Sequence, residues 1–275
     1  MSPKQNFKQL TEKLPNVGKT LFIPLLARAR AQQFNIPFED LKAVTLAQEY
    51  ELARHISLSS FFSKACIIRA HAFDEWAKAQ LGSNGVLISL GAGLCTRHQR
   101  LQRDLQNAPT FEVDFPEVIA MKKELYGEGP AQHFIPSNIL DEAWALEVKK
   151  ILKNQGRDNC NFCITLEGVG MYLTPEQVTT LVDLLKRQFP GAQFAFDYIA
   201  SFLVSRAYLL KAVNDTNSQF HFAPASIRKF AEQHQLILKE KKSLVTELLD
   251  HSWWGKFFLK GPWSAIYKMA WFQLP

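Results

Sequence analysis

A short apolar run that ends in a glycine turn, followed by a second run that ends in an acid, most narrowly limits what this chain can fold into. Val86-Leu87-Ile88-Ser89-Leu90 leads into Gly91-Ala92-Gly93-Leu94, and Phe111 to Asp114 closes on a carboxylate. Apolar runs of this length suit strands buried on both faces. Glycines let the backbone turn sharply and approach a ligand, and an acid about 20 residues later can accept two hydrogen bonds from ribose hydroxyls. The pair implies an adenosine-type cofactor, although Gly91 and Gly93 taken alone also fit a plain turn. A dinucleotide fingerprint is the weaker reading, because Thr96 stands where glycine or alanine is required.

The order of elements supports a parallel sheet. Up to residue 82 the apolar spacing is helical, with Phe61, Phe62, Ala65, Ile68, Ala72, Phe73 and Trp76 at three- and four-residue steps. This reads as a helical cap, 1–82, before a core spanning 83–275. Strands are expected at Val86–Leu90, Phe111–Asp114, Phe162–Leu166 and Phe194–Phe196, with helices at Pro116–Leu125 and Pro175–Gln188. Such alternation implies right-handed crossovers between parallel strands. Thr174, Pro175 and Gln177 form a capping-box start, and Pro190-Gly191 marks the stop. A helix at Ser226–His234 and two closing strands, Leu236–Lys239 and Tyr267–Phe272, complete the expected order.

Composition narrows the partners. The formal charge of +6 comes from scattered residues, and the densest basic stretch, Lys239 to Lys242, is broken by Glu240. Solubility explains that charge better than nucleic acid does, which remains a minor contender. Four irregularly spaced cysteines argue for a reducing, cytoplasmic setting. The run Leu21–Leu26 is too short for a secretion signal and is interrupted by Pro24, and no stretch approaches a membrane span. Nothing in the sequence specifies an oligomeric state.

A second constellation follows the third expected strand. Glu167 comes immediately after Leu166, which puts an acid at the carboxyl edge where open α/β sheets bind ligands; a solvated loop residue before a capped helix is the competing view. Three segments together, Leu90-Gly91-Ala92-Gly93-Leu94-Cys95-Thr96-Arg97, Glu112-Val113-Asp114-Phe115-Pro116-Glu117-Val118 and Glu167-Gly168-Val169-Gly170-Met171-Tyr172-Leu173-Thr174-Pro175-Glu176, resemble the signature segments of the leucine carboxyl methyltransferase family. That family includes bacterial polyketide O-methyltransferases. The resemblance runs from about Thr20 to Phe196.

It implies a class I methyltransferase fold: a Rossmann-like α/β sheet of seven mostly parallel strands, the last antiparallel, with an N-terminal helical extension. It also implies S-adenosylmethionine as cofactor. By position in the motifs, Gly91 and Gly93 would lie under the methionine part of the cofactor and Asp114 would hold the ribose. Glu167 would lie near the amino group, and Arg69 would pair with the carboxylate, the competing view being a surface arginine. Lys19 would be a further basic residue on the cofactor side. Cys95 replaces a usual aspartate. The segment Pro136-Ser137-Asn138-Ile139-Leu140 replaces one that commonly carries an adenine-binding aspartate, a bond Asn138 can still accept, beside Ile139. Tyr172 would lie near the substrate, and Arg69 and Tyr172 would orient the reacting groups. The expected activity is O-methylation of a carboxylate or hydroxyl on a polyketide-like small molecule or a peptide.

Other signals carry less. Gly18-Lys19-Thr20 lacks the first glycine of a phosphate loop, since Lys13 stands there. Cys160 and Cys163 have no second pair and read as core thiols; no metal site is expected. His133 and His251 read as polar surface. Trp253-Trp254 and Trp263 read first as core packing, then as a lid over an apolar substrate. Two rival functions stand beside methyl transfer: a catalytically silent cofactor-binding module and a nucleotide-dependent oxidoreductase.

Overall fold

A computed structural model describes residues 7–12, 18–105, 107–129, 131–201, 219–246 and 266–275. Among the described residues, five α-helices precede the first strand: α1 (Phe7–Glu12), α2 (Gly18–Ala29), α3 (Leu41–Glu49), α4 (Leu52–His55) and α5 (Ser60–Leu81). There follow β1 (Gly85–Leu90), α6 (Arg97–Arg100), α7 (Gln102–Leu105), β2 (Thr110–Asp114), α8 (Pro116–Tyr126), β3 (Gln132–Pro136) and α9 (Ala143–Asn154). The described chain ends with β4 (Asn161–Leu166), α10 (Pro175–Gln188), β5 (Gln193–Ile199), α11 (Ile227–His234), β6 (Ile237–Ser243) and β7 (Tyr267–Gln273).

The strands form one sheet in the order β3-β2-β1-β4-β5-β7-β6. All pairings from β3 to β5 are parallel, and β7 runs antiparallel to both neighbours. This is the class I methyltransferase fold, with its reversed last strand. Six of the seven strands lie where the apolar runs put them. The seventh, β3, and the helix after it, α9, were not anticipated. β3 is an edge strand, Gln132-His133-Phe134-Ile135-Pro136, too short and mixed to show a clear period.

Alternate strand residues feed opposite layers, as a sheet covered on both sides requires. Val86, Ile88 and Leu90 join Trp144 and Val148 of α9, Leu181 and Leu185 of α10 and Phe230 of α11. Leu87 and Cys163 turn the other way, onto Phe73 and Trp76 of α5. α5 starts on a Ser59 cap and packs directly on the sheet, across the turn at 82–84. The shorter helices gather in a separate cluster, where Phe22, Leu25 and Leu46 meet Val118 and Met121 of α8. The capping box forms as read: Thr174 Oγ1 accepts from the Gln177 amide, and Gln177 Oε1 from the Thr174 amide. The segment with Trp253, Trp254 and Trp263 lies outside the described residues, as does His251.

Beneath α8 sits one fully buried lysine. Lys122 Nζ pairs with Glu112 Oε2, while Gln132 Nε2 donates to Glu112 Oε1 at 2.8 Å. Removing one partner strands the other charge in an apolar layer, whereas replacing both is far less costly. Lys122→Met is expected to lower the unfolding free energy by about 3–5 kcal/mol, and adding Glu112→Gln to restore much of it. Urea unfolding of the single and double variants measures both.

Candidate functional site

The turn after β1 is built by sterics. Gly91 sits at φ 61°, and a β-carbon there would come within 2.5 Å of Val169 Cγ2, so the position excludes other residues twice over. The amides of Gly91 and Ala92 both donate to Val113 O, folding the turn over the end of β2. There Asp114 answers it. Its Oδ2 accepts from the Gly93 amide at 2.7 Å and its Oδ1 from the Phe115 amide at 2.8 Å. Burial pushes the Asp114 carboxyl up from its ordinary pKa, and those two amides pull it back. One bond on each oxygen leaves acceptor capacity on both.

Across the carboxyl edge, Glu167 sits between two guanidinium groups. Arg69 Nε donates to Oε1 at 3.0 Å, and Arg97 Nη2 donates to Oε2. Burial alone would raise this carboxyl, but Arg97 and then Arg69 outweigh it and hold its pKa down at about 2. Arg69 is not a surface arginine: its side chain is 13% exposed. Its Nη1 donates to the Tyr267 hydroxyl at 3.0 Å and lies 3.8 Å from Asp197 Oδ2.

Arg97 carries the chain of charges inward. Its Nη1 reaches the hydroxyls of Ser89 and Thr165, which are neighbours in the β1–β4 register, and its Nε donates to Asp74. Asp74 also holds Arg100, which reaches Asp40. Asp40, the N-cap of α3, closes the series on Arg28 at 2.9 Å. Arg28 donates onward to Leu94 O at 2.8 Å, in the glycine turn itself.

The remaining sequence candidates divide. Tyr172 ends a 3-10 turn, Gly170–Tyr172, with its ring against Phe220. Burial raises its phenol pKa, opposed by nearby Arg69. Asn138 lies just beyond β3, and its Oδ1 already accepts from the Leu140 amide at 3.0 Å, so the oxygen expected to receive an adenine amine is partly committed. The Ile139 carbonyl accepts from Trp144 Nε1. Lys19 belongs to α2, but its side chain lies outside the described residues. Among the described residues no cluster suits a metal ion. The Cys163 thiol is buried in the core, and Cys160 is half-buried just before β4. His133 is half-buried and stacks on Phe111.

Sequence reading missed Asp197, Tyr267, Arg97, Asp74 and Asp40. For Asp197 a signal existed: a charge inside the apolar run Phe194-Ala195-Phe196-Asp197-Tyr198-Ile199. The others are meaningful only through partners far away in sequence.

Residues 16–186 match the family described as leucine carboxyl methyltransferase. The chain belongs to that family. It is therefore an S-adenosylmethionine-dependent methyltransferase, and the oxidoreductase alternative falls away. The O-methyltransferase TcmP of tetracenomycin polyketide synthesis, from Streptomyces glaucescens, is 25% identical over 215 residues, 76% of each chain. Human tRNA wybutosine-synthesizing protein 4 is 27% identical over 186 residues, covering 56% of this chain and 27% of that protein. Among solved structures, a Thermobifida fusca protein assigned to the methyltransferases superposes with a TM-score of 0.58 at 16% identity, covering 95% of this chain and 98% of that one. A DUF574-family protein of Streptomyces avermitilis gives 0.55 at 14% identity, covering 90% and 97%. These two share the fold. Among the described residues no helix is long and apolar enough to cross a membrane.

The doubly paired Glu167 makes a stability prediction. Its pKa is lowered in the folded state, so its contribution is complete above the ordinary value of 4.5 and is lost as pH falls toward about 2. At neutral pH, Glu167→Gln leaves two buried guanidinium groups short of a counter-charge and is expected to cost about 3–5 kcal/mol. The gap between wild type and variant is expected to narrow across that acid window in urea titrations. A gap independent of pH would show that the ion pairs contribute nothing.

Proposed function

We propose that the protein moves the methyl group of S-adenosylmethionine onto an oxygen of a small, largely apolar acceptor, a polyketide-like molecule or a carboxylic acid. The observation that carries this is the adjacency of opposite charges at the carboxyl edge, Arg69 and Glu167 at 3.0 Å, beside the glycine turn and Asp114. The methionine end of the cofactor is a zwitterion and its ribose a diol. Arg69 suits its carboxylate, Glu167 its ammonium, and the free acceptor capacity of Asp114 its hydroxyls. These residues fit the group. When bound, the cofactor supplies an electrophilic methyl on a sulfonium.

What this chain's residues contribute is placement. Methyl transfer is a direct displacement, so alignment and exclusion of water account for much of the rate. Next to Arg69 lies an apolar cluster, Met171, Ile199 and Phe220 with Tyr267 at its margin, and Tyr172 packs edge-on against Phe220. This offers an acceptor an apolar wall with a hydroxyl beside it. The polyketide O-methyltransferase relative supports that choice over a peptide.

Glu167 is a poor base, because its pKa of about 2 leaves it little affinity for a proton. Asp197 is spent on the Gly168 amide and the Tyr267 hydroxyl. With neither of these two acids free to take a proton, the site favours an acceptor that is already ionised, a carboxylate or an acidic enol or phenol. Two outcomes are expected. Thermal unfolding rises with S-adenosylhomocysteine and not with NAD, because only a ligand that binds the native state raises its apparent stability. In assays with labelled methyl donor and a panel of carboxylic acids and phenols, Tyr172→Phe lowers kcat roughly tenfold or more through lost alignment. Label on nitrogen or carbon, or turnover unchanged in Tyr172→Phe, would contradict the respective assignment.

A further inference from the structure

Asp197 is wholly buried, and its two oxygens serve different masters. Oδ1 accepts from the Gly168 amide at 2.6 Å, while Oδ2 accepts from the Tyr267 hydroxyl, which in turn accepts from Arg69 Nη1 at 3.0 Å. Gly168 follows Glu167 directly and stands at φ 70°, and a β-carbon there would meet Arg69 Nη1 at 2.9 Å. One carboxylate thus fixes both members of the Arg69–Glu167 pair, the acid through the turn that follows it and the arginine through a tyrosine. Burial raises the Asp197 carboxyl, and Arg69, the Gly168 amide and Tyr267 oppose that rise.

The geometry points to Asp197 and Tyr267 as positioning residues that aim Arg69 and Glu167 at the amino-acid end of the cofactor. This rests on the reading that those two residues hold that end. The reversed strand makes it possible: Tyr267 begins β7 opposite Ile199, so antiparallel pairing carries it to the carboxyl edge beside Asp197. Tyr267→Phe removes one hydroxyl and keeps the ring, which tests the link to Arg69 with least disturbance. Asp197→Asn keeps an acceptor for Gly168 and removes the charge.

The experiment is calorimetric titration of the full chain with S-adenosylhomocysteine and with methylthioadenosine, which shares the nucleoside and sulfur but lacks the amino-acid end. Tyr267→Phe is expected to raise the Kd for S-adenosylhomocysteine roughly tenfold and to leave that for methylthioadenosine unchanged within about twofold. Asp197→Asn is expected to act in the same direction and more strongly. Equal losses for the two ligands, or no loss for either, would overturn the assignment in favour of a general structural role. Should wild-type protein bind both ligands equally, Arg69 and Glu167 do not hold the amino-acid end, and the reading beneath the inference fails with it.

Discussion

Many charges are buried together in this fold, and an alternating series of them is stable only because none is left alone. Arg28, Asp40, Arg100, Asp74, Arg97, Glu167, Arg69 and Asp197 alternate in sign along one connected path, each with a side chain 13% exposed or less. Taking a single such ion out of water costs several kcal/mol, and only well-made pairing offsets that. A path of alternating charges meets the condition only if every member is in place. Helices α2, α3, α5 and α6 are thereby tied to the ends of β1, β4 and β5, because each supplies a charge that the next element needs.

The same condition explains where the site lies. Parallel strands present their carboxyl ends together, so the glycine turn after β1, Asp114 on β2, Glu167 after β4 and Asp197 on β5 converge without any one segment containing them all. The reversed β7 adds Tyr267 from the opposite chain direction. A zwitterionic ligand entering here would meet charges already oriented and desolvated, which lowers the reorganisation that binding would otherwise require.

What the sequence disclosed was what is local. β1, β2 and β4 are apolar runs bounded by turn residues, and α10 announces itself through Thr174 and Gln177, so both kinds of element could be read directly. β3 escaped because its five residues mix Gln132, His133 and Pro136 with Phe134 and Ile135, which are buried on opposite faces and leave no alternation to read. The glycine turn and the acids at 114 and 167 were legible because each stands at the end of a readable strand. Arg69 was placed only by its resemblance to a family arginine on the helix before the first strand, and its contact with Glu167 across 98 positions was invisible. Tyr267 was seen only as the start of a strand, because its role depends on the antiparallel register that folding selects. Asn138 was read from its chemistry alone, and its oxygen also accepts from the Leu140 amide, a local turn that the sequence did not announce.

Whether the Arg69–Glu167 pair and Asp114 hold the two ends of one ligand is decided by a crystal structure of the chain with S-adenosylhomocysteine. The expected density has the amino-acid group between Arg69 and Glu167 and the ribose hydroxyls on Asp114. Density for the ligand elsewhere, such as the 570 Å³ groove outside β3 lined by His133, Ile135 and Trp144, with the Arg69–Glu167 pair untouched, would contradict it.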